Sequence, residues 1–257
     1  MAEMRRSPRP VALVTGVGRS AGIGAAVAVR LAADGWDVAT AYWAPYDQRM
    51  PWGRPAGDTV RVGGDLRRAG ARTTAIHEDL SDVEAPGRIL HAAQAELGAV
   101  SALVMCHCES VDSALLDTTV DSFDRHYAVN VRATWLLIRD FAERLPAVDG
   151  TGRVIAMTSD HTVGNLPYGA SKGAMDRVVL AAARELAHLR ITANVINPGP
   201  VDTGWIDDEL RATIVAQSPF GRVGQPADTA ALVSFLCSTE GGWVNGQLLH
   251  SDGGLHA

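Results

Sequence analysis

Short apolar runs alternate with longer stretches of helical periodicity along this sequence, and that rhythm limits the fold more than any other property. The apolar runs fall at residues 11–15, 37–42, 72–77, 102–106, 153–158, 192–197 and 247–251. They suit strands and are too short for helices. Between them, residues 22–34, 60–69, 85–97, 123–145, 168–189 and 227–237 repeat apolar side chains at three- and four-residue spacing. Strands separated by helices pair in parallel, because each must cross over the sheet before it returns.

Right-handed crossovers then predict an α/β fold, a doubly wound Rossmann-type parallel sheet of about seven strands with helices on both faces. The 257 residues, 47% of them hydrophobic, suffice for one domain, expected over residues 11–257. Residues 1–10 are basic and Pro-containing with no apolar signal core behind them, and read as an N-terminal arm. A formal charge of −6 gives no footprint for nucleic acid or an anionic membrane, and no apolar stretch is long enough to span a bilayer. Three cysteines, Cys106, Cys108 and Cys237, make no disulfide framework and fit a reducing, cytoplasmic setting.

Two stretches break the rhythm. Residues 44–58 carry three prolines and a Trp, and read as an ordered insertion or lid edge. Residues 201–224 follow the sixth strand and include a short helix near 207–217. Both leave carboxyl ends of strands, where such sheets bind ligands.

The first strand runs into Gly16-Val17-Gly18-Arg19-Ser20-Ala21-Gly22-Ile23-Gly24 and an Ala-rich helix. Glycines let the backbone approach a pyrophosphate, and a helix N-terminus offers it N–H groups and a positive dipole end. A structural strand-to-helix turn is the plain alternative for glycines alone. The second strand ends Thr40-Ala41-Tyr42-Trp43 with no acid before Asp47, so a ribose 2′-hydroxyl has no ready partner. Arg19, assisted by Arg49, instead suits a 2′-phosphate. The charge pattern favours NADP(H), with NAD(H) as the alternative. Asp79, beside Leu80 after the third strand, suits an adenine amino group or a turn cap.

Tyr168 and Lys172 stand at i and i+4 on one helix face. An adjacent ammonium lowers a phenol's pKa toward the working range of an acid–base catalyst. Such a pair recurs by chance in many helices, and context decides.

That context is a resemblance to the short-chain dehydrogenase/reductase family, near its ketoacyl-reductase-like carbonyl reductases, over residues 11–254. It rests on the Thr15-Gly16 turn, Asp79-Leu80, Asn130, Ser159, Tyr168 with Lys172, Asn197-Pro198-Gly199-Pro200-Val201-Asp202-Thr203, and Asp252-Gly253-Gly254. The resemblance implies a hydride transfer between NADPH and a ketone, aldehyde or ketoacyl substrate, or the reverse alcohol oxidation. Tyr168 would move the proton and Ser159 would hold the carbonyl oxygen. Lys172 would bind the nicotinamide ribose, Asn130 would order a water relay to Lys172, and Pro198, Gly199, Val201 and Thr203 would fix the carboxamide. Gly16, Arg19, Ser20, Gly22, Ile23 and Gly24 complete the expected cofactor set. The resemblance also implies a homotetramer or dimer, and the small residues Ala174, Ala181, Ala182 and Ala183 suit a close helix contact. A non-redox enzyme, such as a cyclase or dehydratase, and a nucleotide-sensing protein without turnover are the competing functions.

Three departures mark this chain. Five residues separate Gly16 from Gly22, a wider spacing resembling the enoyl-thioester reductases. Met105-Cys106-His107-Cys108 replaces the family's Asn-Asn-Ala-Gly. Three ligands so close in sequence do not surround a tetrahedral ion, so a structural turn is expected and no metal site is read there. Eight residues lie between Ser159 and Tyr168, fewer than usual, so the pocket beside His161 should open; Trp205 is a further pocket candidate.

Overall fold

The computed structural model describes residues 9–53, 55–146 and 151–256. Seven parallel strands run in the order β3-β2-β1-β4-β5-β6-β7. They are β1 (Val11–Thr15), β2 (Asp37–Tyr42), β3 (Thr73–His77), β4 (Val100–Met105), β5 (Gly152–Met157), β6 (Ile191–Asn197) and β7 (Leu248–His250). The expected α/β, doubly wound sheet is what forms. Most of the expected N-terminal arm, up to residue 8, lies outside the described residues. Arg9 is docked, donating to the carbonyls of Ala32 and Trp36 at 2.6 and 2.9 Å.

Alternation along each strand divides the core into two layers. Leu13, Leu103, Val154 and Val195 face one side and pack with Ile89 and Leu90 of α4 (Ala85–Leu97), Leu137 and Phe141 of α6 (Ala133–Arg144), and Met175 and Val179 of α7 (Leu166–Glu185). Ala12, Val14, Val104, Ile155 and Ile196 face the other side. They meet Ala28 and Leu31 of α1 (Ile23–Ala33), Leu66 of α3 (Asp58–Arg68), and Val233 and Leu236 of α9 (Pro226–Cys237). The central strands are covered on both faces, which is why they read as continuous apolar runs.

One expectation needed correction. The helix expected over 123–145 is α5 (Val120–His126), a π-helical turn at Tyr127–Arg132, and then α6. Apolar periodicity carries no sign of the widened turn, which carries Asn130. The stretch 44–58, expected as an ordered insertion or lid edge, begins with the short helix α2 (Ala44–Arg49), with Pro45 in its first turn. The short helix expected near 207–217 is α8 (Asp208–Gln217), capped by the Asp207 carboxylate, which accepts from the Leu210 N–H at 2.8 Å.

Candidate active site

Sheet order reverses between β1 and β4, and a cleft opens there above the carboxyl ends of the strands. It encloses about 1020 Å³. Gly16, Arg19, Gly22, Ile23, Gly24, Asp79, Leu80, Ser159, Tyr168, Pro198, Gly199, Val201 and Thr203 all line it. The structure therefore gathers most of the residues singled out in the sequence around one cavity. Ser20, Asn130 and Lys172 stand outside its wall.

At the Gly-rich end, glycine is required by contact as well as by conformation. Gly16 has φ +75°, and a Cβ there would lie 2.5 Å from the Cys106 carbonyl. A Cβ on Gly24 would lie 2.8 Å from the Gly16 carbonyl oxygen, so the turn and the first turn of α1 touch backbone to backbone. Gly22 is the N-cap of α1 and no side chain caps the helix, which leaves its first amides directed at the cavity. This cradle fits a pyrophosphate. Ser20 stands outside the cavity wall, and its N–H and its hydroxyl both donate to the buried Asp58 carboxylate at 3.1 Å. The extra residues of the turn are thus used to anchor it on the N-terminus of α3.

Arg19 is held in place rather than solvated. Its Nε donates to Asp47 of α2 at 3.1 Å, one terminal nitrogen donates to the Thr203 carbonyl at 2.8 Å, and its guanidinium lies 5.2 Å from the Trp52 ring. It ties the Gly-rich turn to the loop after β6. Arg49 points elsewhere, to Glu109, where Arg125 binds the second carboxylate oxygen at 3.1 Å. The Trp43 ring has the Arg125 guanidinium 4.6 Å away and that of Arg49 at 5.7 Å. Asp79 accepts from the Ser81 N–H at 2.9 Å and pairs with Arg125 at 3.3 Å, so it caps its turn while still facing the cavity.

At the catalytic end, α7 opens at Leu166 with Pro167 in its first turn, which places Tyr168 over the cavity and Lys172 one turn deeper. Lys172 is 2% exposed, and its ammonium donates to the Met157 carbonyl at the end of β5 at 2.8 Å. Nζ lies 5.6 Å from the Tyr168 ring centre. Burial pulls the Lys172 pKa below the usual lysine range. Burial likewise raises the Tyr168 phenol above the usual tyrosine range, with the Ser159 hydroxyl pulling against it. Ser159 is fixed by the N–H of His161, which donates to its Oγ at 3.2 Å. A Cβ on Gly169 would lie 2.6 Å from the His161 carbonyl oxygen, so the short loop rests directly on α7.

Asn130 is fully buried, and its side-chain polar atoms are all engaged. Its Oδ1 accepts from the Glu109 N–H at 2.7 Å, and its Nδ2 donates to the Glu109 carbonyl at 2.9 Å and to Ser171 Oγ at 2.8 Å. It clamps the loop after β4 to α7, and the π turn is what turns it inward.

Met105 ends β4, and Cys106, His107 and Cys108 follow it without regular secondary structure. His107 accepts from or donates to the Thr15 hydroxyl at 2.7 Å through Nδ1 and meets the Val129 carbonyl at 3.2 Å through Nε2. A carbonyl only accepts, so Nε2 carries the proton and Nδ1 receives the Thr15 hydroxyl. Burial lowers the His107 pKa to about 3. Burial also raises both neighbouring thiols, Cys106 to about 12.

Sequence reasoning missed the wall contributed by Trp43, Tyr46, Asp47 and Trp52, and the buried carboxylate of Glu109. Nothing in spacing marks them; the only signal was the insertion itself. It also missed Leu255 and His256, which the tail brings to the cavity mouth.

A family model described as enoyl-(acyl carrier protein) reductase matches residues 16–256. The uncharacterized oxidoreductase YjdA of Bacillus subtilis is 35% identical, over 98% of this chain and 99% of its own. A short-chain dehydrogenase/reductase from Serratia marcescens superposes with a TM-score of 0.86 at 28% identity, covering 97% of this chain and 99% of that one. A short-chain dehydrogenase from Burkholderia cenocepacia, solved in complex with NADP, superposes with a TM-score of 0.85 at 32% identity, covering 97% and 98%. With the fold, the cleft and these matches in agreement, the chain belongs to the short-chain dehydrogenase/reductase family of oxidoreductases.

Proposed function

We propose that the protein is an NADPH-dependent reductase of a small ketone, aldehyde or ketoacyl compound, with Tyr168 as the proton donor. The observation that carries this reading is that Tyr168 and Ser159 face the same cavity as the open N-terminus of α1, with Lys172 buried behind the phenol. NADPH, when bound, supplies the hydride. Gly22, Ile23 and Gly24 would take its pyrophosphate and Leu80 its adenine, while Pro198, Gly199, Val201 and Thr203 would seat its carboxamide. Ser159 orients the carbonyl oxygen toward Tyr168 and stabilises the charge that grows on it. A phenol held above its usual pKa keeps its proton until that charge develops, which suits an acid in the reductive direction. Alcohol oxidation needs the phenolate and should rise with pH. Asn130 acts through position, holding Glu109 and Ser171 against each other.

Arg19 is the residue for the 2′-phosphate, and Asp47 is the anion with which that phosphate competes. Tryptophan-to-nicotinamide energy transfer during separate NADPH and NADH titrations tests this. NADPH should bind more tightly, and Arg19→Ala should remove about 1.5–3 kcal/mol of that preference. Asp47→Asn should shift the preference further toward NADPH. Equal binding of both cofactors would overturn the assignment. With a carbonyl substrate in hand, Tyr168→Phe should slow reduction by about 10²–10⁴-fold while cofactor binding survives. Undiminished turnover would remove Tyr168 from the chemistry. Three free cysteines fit a reducing, cytoplasmic setting.

A further inference from the structure

We propose that His250, Asp252 and His256 form a binding site for one divalent cation, Zn²⁺ by ligand type, at the mouth of the substrate cavity. Asp252 belongs to the Asp252-Gly253-Gly254 stretch that carries the family resemblance, but the proposed reduction gives no role to its side chain or to either histidine.

The site is built by the chain reversal after β7. Gly253 and Gly254 both have positive φ, +70° and +85°, and they fold the tail back so that His256 returns to His250. The two imidazole rings lie 5.0 Å apart. Asp252 sits between them with a side chain 5% exposed. Its Oδ1 accepts from the Gly254 N–H at 2.9 Å, which turns Oδ2 toward both histidines. Oδ2 lies 2.5 Å from His256 Nδ1 and 3.8 Å from His250 Nδ1. One ligand atom from each residue falls within 4.8 Å of the others, the only such grouping among the described residues.

Bond lengths of about 2.0–2.1 Å in tetrahedral geometry place ligand atoms about 3.3 Å apart. The present separations of 2.5 and 3.8 Å straddle that value, and small side-chain rotations reach it. Two imidazoles and a carboxylate suit Zn²⁺ far better than Mg²⁺ or Ca²⁺, which prefer all-oxygen shells.

A second feature points the same way. The remaining nitrogen of His256, Nε2, is paired with Asp160. A histidine that binds a metal through one nitrogen commonly gives the other N–H to a carboxylate, which fixes its tautomer and orientation. Asp160 follows Ser159 in the short loop, and Leu255 and His256 line the cavity. Asp252 packs against Gly199 as well, where a Cβ would lie 2.6 Å from its own Cβ. A bound ion would therefore join the tail, the nicotinamide-side loop and the substrate loop. Three protein ligands leave the fourth position to water.

The test is a Co²⁺ titration of the chelator-treated full-length protein, read by visible absorption, with Zn²⁺ as competitor. One equivalent should bind with nitrogen–oxygen bands and be displaced by Zn²⁺. His250→Gln and His256→Gln should each weaken binding by at least about tenfold, and Asp160→Asn by about 10–100-fold. Circular dichroism checks that each variant is folded. The proposal is overturned if no metal binds below about 1 mM, leaving a hydrogen-bonded cluster alone. It is also overturned if binding persists in both histidine variants with thiolate charge-transfer bands, which would assign the metal to cysteine. Neither readout involves the cofactor, so the result stands apart from the reductase reading.

Discussion

His107 illustrates how one side chain can hold two elements together and set a pH limit. Its ring joins Thr15 at the end of β1 to the Val129 carbonyl in the π turn; Nε2 donates to the carbonyl in either form, whereas only the neutral ring lets Nδ1 accept from the Thr15 hydroxyl. Burial lowers its pKa to about 3, against about 6.5 in the unfolded chain. Between those values the unfolded state holds a proton that the folded state lacks, so stability falls as pH falls through that window and is complete above it. The slope contributed is about 1.4 kcal/mol per pH unit. Urea unfolding at neutral and mildly acidic pH should show this slope in the parent protein and lose it in His107→Gln. Equal slopes would mean that the folded protein accepts the proton. Glu109 is a buried carboxyl group of a different kind, paired with two guanidinium groups.

At the scale of elements, the π turn between α5 and α6 is the joint on which the catalytic end depends. It brings Asn130 inward, and that amide satisfies both backbone groups of Glu109 as well as Ser171 of α7. Removing it leaves buried donors and acceptors without partners. Asn130→Ala should cost about 2–4 kcal/mol by chemical denaturation, from two lost backbone pairings. A loss well below 1 kcal/mol would mean that water replaces the amide without strain. The α2 helix is a second such element. Its Asp47 and Arg49, with Trp43 just before it, link the Gly-rich turn to the loop after β4 across the cleft mouth.

Over the whole molecule, apolar surface remains uncovered on the face carrying α6 and α7. A groove of about 560 Å³ is lined by Tyr127, Ala128, Val131, Trp135 and Val178 together with the charged Asp124 and Arg132, and Trp135 is half exposed. Of the small residues expected to receive a neighbour, Ala182 and Ala183 are buried in the chain's own core, which leaves Ala174 and Ala181 nearer the surface. A homo-oligomer through this face is the expectation: light scattering should give the mass of two or four chains, and Trp135→Asp should lower it. A single-chain mass for the parent protein would refute that arrangement. No helix among the described residues is long and apolar enough to cross a membrane.

The sequence by itself determined the sheet and its helices, because strand-length apolar runs between helical periods have few other ways to bury both faces. It also determined the Gly16–Gly24 turn and the Tyr168–Lys172 pair, since these depend on local spacing along one turn or one helix face. Only tertiary structure decided the partners. Ser20 turned to Asp58, Arg19 to Asp47 and Arg49 to Glu109, and each choice joins residues far apart in the chain. The π turn was equally invisible, because an inserted residue alters the direction of a helix without altering which residues are apolar. Asp252 is legible in the sequence only as part of the Asp252-Gly253-Gly254 motif, and its meeting with His250 and His256 appears only once two glycines with positive φ fold the tail back. Hydrophobic pattern fixes which face of an element is buried; which polar groups meet above the sheet depends on loop conformation, and that is set by contacts the linear order does not contain.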